Sequence, residues 1–359
     1  MSLRRVQVTD FRCLQSVVVD LDPRFTLISG PNGSGKTSLL EAIYVLGRGR
    51  SFRTRRLDHL IRQGAGEFVV FGEIDAGDRR IPVGVEGSGS GVRAKISGVA
   101  AGSLAELALA LPVQIIDPEV HGLIEDGPNR RRRFMDWGVF HGEQSFVGDW
   151  QRYRQILKQR NAALKSGQAP AAVAAWDGDL LRYGQLLTSA RSDYVARLSP
   201  HAERIGLNLL GMELELSYRP GWPRDSSFAE SLEHNRVHDQ ASGVTQVGPH
   251  RAELSIRADG VPVKDRISRG QQKLLAAALL IAQLKLFPEG ARIQPTLLLD
   301  DPAAELDDDR LALLIREVAS HSVQLIVTTL HSEFSAFGEP GRRFGVEAGR
   351  LVKVVSRGT

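Results

Sequence analysis

The stretch "GPNGSGKT", Gly30 to Thr37, constrains this chain more than any other. It fits the spacing GxxxxGK[ST], follows the apolar run "FTLIS" and opens the helical pattern "KTSLLEAIYVLG". The backbone N–H groups of such a loop point inward around an anion, and the positive end of the following helix adds to the pull. Strand, loop and helix in that order call for a buried parallel strand with the loop at its carboxyl end. Lys36 would reach the β- and γ-phosphates of a nucleotide, and Thr37 would ligate Mg²⁺. A chance glycine turn ahead of a helix is the competing reading, and the flanking strand and helix argue against it. The pattern ends the helix at Gly47.

A second stretch supplies what the first lacks. "TLLLDD", Thr296 to Asp301, is an apolar strand with two carboxylates at its C-terminal end, where ligands of α/β proteins sit. Asp300 would belong to the Mg²⁺ shell, and Asp301 would orient or deprotonate an attacking water. Two adjacent carboxylates repel each other, and a nearby cation relieves this. Taken alone, the motif also reads as a strand end with solvated acids.

The third feature is "ISRGQQKLLAAALLIAQLKL", residues 267 to 286, where a polar turn runs into a very apolar helix. Ser268, Gly270 and Gln271 at a helix start form a second anion-binding arrangement of hydroxyl, backbone N–H groups and dipole. The same residues read equally well as a plain N-cap. Order along the chain favours the first reading. Glycine loop, long insertion, Ser-x-Gly-Gln and a strand with two acids is the order of ABC-type ATPases.

The remaining pattern gives an architecture. Two strand-like stretches, "VQVTDF" and "QSVVVDL", predict an antiparallel hairpin, and more strands follow between about 67 and 100. "VQIID" is a buried strand that carries Gln114, a candidate Mg²⁺-sensing residue. Residues 128 to 210 have helical spacing. "QLIVTT" closes a strand–helix–strand unit with "TLLLDD" and "DDRLALLIREVAS". The expected fold is an α/β P-loop ATPase head of ABC/SMC type with an inserted, mostly helical lobe and no long coiled coil. Its parts are 1–120, the N-terminal part of the head; 121–235, the lobe; and 236–359, the C-terminal part.

Seven blocks together resemble the RecF family, coiled-coil-free relatives of the SMC ATPases. They are "FRCL", the loop with its helix and "GRGRSFRT", "GPNRRRRFMDWGVFH", "LKQRN", "GPHRAELSI", "ISRGQQKLLAAALLIAQ" and "LLLDDPAAELD", and they spread from about residue 3 to 330. The resemblance implies an ATP-dependent DNA-binding protein that dimerises on ATP and acts with RecR and RecO to promote RecA loading. It implies a nucleotide set of Gly30, Pro31, Asn32, Gly33, Ser34, Gly35, Lys36, Thr37 and Ser38, with Arg12 from "FRCL". It also implies that Ser268, Gly270 and Gln271 contact the γ-phosphate held by the opposite subunit, with Asp307 in the segment that crosses the dimer interface. Two departures stand out. The first glycine of the usual signature turn is Arg269, and the usual catalytic Glu is Asp301, one methylene shorter, which implies slow hydrolysis. His331 is the candidate for a γ-phosphate role after the last strand.

Charge and composition bound the rest. The net charge of +4 on 359 residues permits an anionic partner without demanding one. Basic clusters lie at Arg48, Arg50, Arg53, Arg55 and Arg56, at Arg130 to Arg133, and along "QRYRQILKQR". Each suits phosphate binding, and each suits a solvated face or an ion-pair network. "RSFR" also suits a position over the nucleotide. No base-reading motif occurs, so DNA contact should depend on salt more than on sequence. One cysteine, Cys13, excludes an internal disulfide and a cysteine-rich metal site. The first residues lack a signal-peptide core and the longest apolar run is too short for a bilayer, so a cytoplasmic protein is expected. A transporter subunit is disfavoured by the more than two hundred residues between Lys36 and Ser268. A nuclease lacks its metal cluster, and an SMC-type clamp lacks its heptads.

Overall fold

The computed structural model describes residues 2–77, 79–143, 145–287, 294–304, 308–319, 322–330 and 337–353. From the N-terminus run β1 (Ser2–Phe11), β2 (Leu14–Asp20), β3 (Phe25–Ser29), α1 (Lys36–Arg48), β4 (Glu67–Asp75), β5 (Arg80–Ser88), β6 (Gly91–Ile96) and β7 (Val99–Ala100). Next come α2 (Leu104–Ala110), β8 (Val113–Ile116), α3 (Gly122–Glu125), α4 (Pro128–Gly142), α5 (Phe146–Lys165), α6 (Pro170–Ala174), α7 (Asp177–Leu210) and β9 (Leu214–Arg219). The order continues with α8 (Phe228–His234), α9 (Arg236–Ser242), β10 (Glu253–Ala258), β11 (Val261–Pro262) and α10 (Arg269–Lys285). It closes with β12 (Thr296–Asp300), α11 (Asp308–Ala319), β13 (Gln324–Thr329), β14 (Arg342–Glu347) and β15 (Arg350–Lys353). Two compact units result, Met1–Val120 with Pro288–Thr359, and His121–Phe287.

The first unit holds two six-stranded sheets. One is antiparallel in the order β2-β1-β4-β5-β6-β7, and begins with the expected hairpin, Val8 facing Val17. The other runs β15-β14-β3-β13-β12-β8, with all strands parallel except β15. Between them lies α1, and this explains why it is buried nearly all round. Leu39, Leu40, Ile43 and Leu46 pack with Val6, Val8 and Val70 of one sheet and with Ile28, Val113 and Ile326 of the other. Gln324 ties the sheets at their far end: its amide donates to Leu3 O at 2.7 Å and to Asp22 O at 2.8 Å, and its oxygen accepts from Leu3 N at 2.9 Å. A buried amide so fully paired is stabilising, where an unpaired one would cost about 1–3 kcal/mol.

α1 does not stop at Gly47, as the pattern suggested. Gly47 lies inside the helix because a β-carbon there would sit 2.5 Å from Leu111 O and 2.7 Å from a Val113 methyl. The helix ends two residues later, where Gly49 takes φ 62° and returns its N–H to Val45 O at 2.7 Å.

The second unit is built on α5 and α7, with a small sheet in the order β11-β10-β9. α7 is the longest helix among the described residues at 34, and it buries a stripe from Leu180 to Leu209 within the unit. The sequence reading set its second boundary after residue 235, whereas this unit runs on to Phe287. α10 belongs here because Gln283, buried on it, donates to Phe134 O at 2.9 Å and to Tyr194 Oη at 2.6 Å. The turn at Ser268 is therefore carried by the helical unit.

"GPHRAELSI" also finds its place in this unit. His250 Nε2 faces the Thr245 carbonyl at 3.0 Å, so this nitrogen carries the proton, and Nδ1 accepts from Tyr153 Oη at 2.7 Å. Both nitrogens of the neutral ring are satisfied, and burial pushes its pKa from 6.5 down to about 4. The sign follows from linkage. A depressed histidine pKa contributes stability that is complete above the unfolded value of 6.5 and is lost as pH falls towards 4. The chain should lose about 3 kcal/mol more than a His250→Asn variant between those pH values, read by urea midpoints. Parallel losses would show that the ring's neutral state is not what burial selects.

Candidate functional site

The carboxyl ends of β3, β13 and β12 lie side by side, since register places Asp300 opposite Thr328 and Thr329 opposite Ser29. The glycine loop leaves β3 at this edge, and the two acids leave β12. Together they line a cavity of about 440 Å³, bounded by Asn32 to Ser38, Cys13, Arg53, Pro118, Asp300, Asp301 and Leu330.

The loop is closely fitted. A β-carbon on Gly30 would lie 2.3 Å from Val346 O, so only glycine lets β14 run against the loop. Ser34 N–H donates to Pro31 O at 3.2 Å, and Gly349 N–H donates to Ser34 O at 2.8 Å. The Ser34 hydroxyl is buried without a hydrogen-bond partner among the described residues. Lys36 folds back over the loop and donates to Gly30 O at 2.7 Å and Pro31 O at 3.0 Å. Burial lowers its pKa, while the charges of Asp301 and Asp300 act the other way. An ammonium held on carbonyls beside two carboxylates is poised for a more anionic ligand.

Thr37 and Asp300 meet across the cavity. The Thr37 hydroxyl donates to the carboxylate, 3.0 Å from each oxygen, and the Thr328 hydroxyl donates to Oδ1 at 2.8 Å. These are hard oxygen donors of the kind Mg²⁺ takes. Among the described residues no cluster of three or more His, Cys, Asp or Glu could hold a metal. A Mg²⁺ here would complete its shell from phosphate and water, as this ion usually does. Asp301 turns out of the strand at φ 49°, its N–H on Thr328 O at 3.1 Å. Thr328 thus orders both acids, a role legible only in the hydroxyl that ends "QLIVT".

Two expected residues, Arg12 and Gln114, stand elsewhere. Arg12 is not turned to the loop cavity: its Nε and Nη2 clasp Glu41 at 2.9 and 2.8 Å. Glu41 on α1 is fully buried, and Ser51 and Arg53 also reach it. Its charge demands this company, and Arg12 instead lines a second cavity of about 650 Å³ with Ser38, His59 and Arg62. Gln114 faces Leu297 in the register, three residues short of Asp300. That is about 10 Å back along the strand, and Gln114 does not line the cavity. His331 and Asp307 lie outside the described residues. Arg53, from "RSFR", does line the cavity.

In the helical unit Ser268 and Gln271 form a reciprocal cap. Ser268 Oγ accepts from Gln271 N at 3.3 Å, and Gln271 Oε1 accepts from Ser268 N at 2.9 Å. Capping uses the serine oxygen as an acceptor and leaves its O–H to donate outward from an exposed position. The two readings of this turn are therefore compatible. Arg269 is held by His121, Nη2 to Nε2 at 3.0 Å, and so points back into its own unit.

The arginine run is mostly spoken for. Arg131 clasps Glu253 at 2.7 and 2.8 Å, Arg132 donates to Ala252 O at 2.6 Å, and Arg130 pairs with Asp126 at 2.7 Å. Here the ion-pair reading holds.

Comparison with known proteins agrees with this geometry. The family described as "RecF/RecN/SMC N terminal domain" matches residues 2–346. The DNA replication and repair protein RecF of Yersinia enterocolitica is 40% identical over 355 residues, 98% of each chain. A solved structure of the recombination mediator protein RecF with ATP, in the RecFOR pathway, superposes with a TM-score of 0.87 at 25% identity, covering 99% of this chain and 98% of that one. An Smc head bound to the C-terminal winged-helix domain of ScpA shares the fold, with a TM-score of 0.62 at 19% identity over 99% of this chain and 98% of that one. A glycine loop, a hydroxyl–carboxylate pair at the sheet edge and this near full-length likeness make the chain a member of the RecF family of DNA replication and repair proteins, within the SMC/ABC ATPase superfamily.

Proposed function

We propose that the chain is an ATP-dependent recombination and repair mediator that closes as a dimer on DNA when ATP binds. Gly30 to Ser38 cradle the phosphates, Lys36 neutralises them, and Thr37 with Asp300 hold Mg²⁺. The observation that carries the reading is the pairing of a formed phosphate loop with an exposed, pre-ordered Ser268 turn whose hydroxyl can still donate. In the dimer that turn would meet the γ-phosphate held by the partner, so two nucleotides are sandwiched. Asp301 would orient the attacking water, with hydrolysis slow for want of a longer side chain. Loss of the bridging phosphate then releases the clamp, because only a contact present in one state can bias such an equilibrium. The partners in this reading are duplex, gapped and single-stranded DNA without sequence preference, RecR- and RecO-type proteins, and RecA as the protein loaded. Its setting is the cytoplasm, in keeping with the lack, among the described residues, of any helix long and apolar enough to cross a membrane.

Light scattering with and without ATP and Mg²⁺ tests this. The wild-type mass should double only with ATP, and Ser268→Arg should stay monomeric while still binding ATP. Equal masses with and without ATP, or normal dimerisation of the variant, would reduce Ser268 to a helix cap.

A further inference from the structure

The basic stretch along α5 divides sharply once its contacts are known. Arg160 is buried between Asp177 and Asp239, and Arg152 donates to Tyr183 Oη at 2.7 Å. Arg154, Lys158 and Lys165 are exposed and form no ion pair among the described residues. At 100° per residue these three fall within about 40° of the helix circumference, and Trp150 adds about 40° more. The guanidinium of Arg154 lies 4.6 Å from the Trp150 ring centre. Asp149, in the first turn, is the only acid on the helix.

We propose that this face of α5 is where the phosphate backbone of duplex DNA lies. The inference rests on the DNA-binding reading above and names where the contact is made. The unit's buried arginines are paired, Arg160 with Asp177 and Arg191 with Asp136, and the half-buried Arg131 clasps Glu253. On α5, by contrast, three exposed cations without an ion pair among the described residues share one stripe. A solvated face of a surface helix usually mixes both signs, and this one carries none of the other sign beyond its first turn. The stripe from Trp150 to Lys165 is about 22 Å long, which matches the axial length of about six base pairs of duplex. Trp150 adds order: stacking holds the Arg154 stem in place while its N–H edges stay open to phosphate oxygens.

The test is fluorescence anisotropy of a labelled duplex with the full chain, ATP and Mg²⁺, across a range of salt concentrations. Removing three phosphate contacts in R154A/K158A/K165A should flatten the slope of log affinity against log salt by roughly 2 to 3, and weaken low-salt binding about a hundredfold. The double variant K158A/K165A, which keeps the Arg154–Trp150 contact, should flatten the slope by roughly 2. Arg130→Ala, at a residue already paired with Asp126, should change the slope by less than either. ATP-dependent mass and urea midpoint should stay at wild-type values in all three. If the wild type binds DNA and both α5 variants bind within about twofold with the same slope, the surface is elsewhere while the DNA reading stands. A wild type with no salt-dependent DNA affinity would remove both.

Discussion

Lys36→Ala should weaken ATP binding by two to three orders of magnitude in a calorimetric titration with Mg²⁺ present, by about 3–4 kcal/mol. The ammonium holds Gly30 O and Pro31 O, so it shapes the cradle as well as charging it. A charge-assisted hydrogen bond contributes about 1.5–3 kcal/mol, and two phosphates would each receive one. Alanine also leaves two carbonyls facing inward beside Asp300 and Asp301, which repel an anion with nothing to offset them. Lys36→Arg keeps the charge but brings a planar fork into a space fitted to a compact ammonium, and should recover only part of the loss. If Lys36→Ala binds ATP within about threefold of wild type, the backbone N–H groups alone hold the phosphates and the lysine is a loop brace.

What could be read ahead of the structure was whatever is written locally. The glycine loop, the apolar strands and the two acids each lie within a few residues, and the parallel sheet follows from their periodicity. What could not be read depends on partners far along the chain. Arg131 looks like a phosphate-binding cation until Glu253, 122 residues away, is found beside it. Arg12 looks like a nucleotide contact until the buried carboxylate of Glu41 claims it. Gly47 carries a stop signal that close packing on Leu111 overrides. Gln114 has the right strand and the wrong height, since one strand step of error moves a side chain by about 3.3 Å and to the opposite face. Ser268 supports two readings, and the hydrogen-bond geometry shows the cap while leaving the O–H able to donate outward.

Arg160→Met should cost the helical unit about 3–5 kcal/mol, the loss expected when one partner of a buried ion pair is removed. Arg160 is 1% exposed and is held by Asp177 at 2.9 Å, Asp239 at 2.8 Å and the Thr245 hydroxyl at 2.8 Å. It thereby joins α5 to the start of α7, to α9 and to the strand of chain before "GPHR", segments up to 85 residues apart. Methionine fills similar volume and leaves Asp239, itself fully buried, with an uncompensated charge. The readout is clean because all four tryptophans, Trp137, Trp150, Trp176 and Trp222, lie in this unit, so a urea titration followed by their fluorescence reports on it alone. Arg160→Met with Asp177→Asn and Asp239→Asn should regain most of the loss, since neutral amides no longer require the cation. ATP affinity should be unchanged throughout, because the phosphate loop belongs to the other unit. An unchanged urea midpoint for the single variant would mean that water reaches these carboxylates, and that the apolar packing of α5 on α7 holds the unit without them.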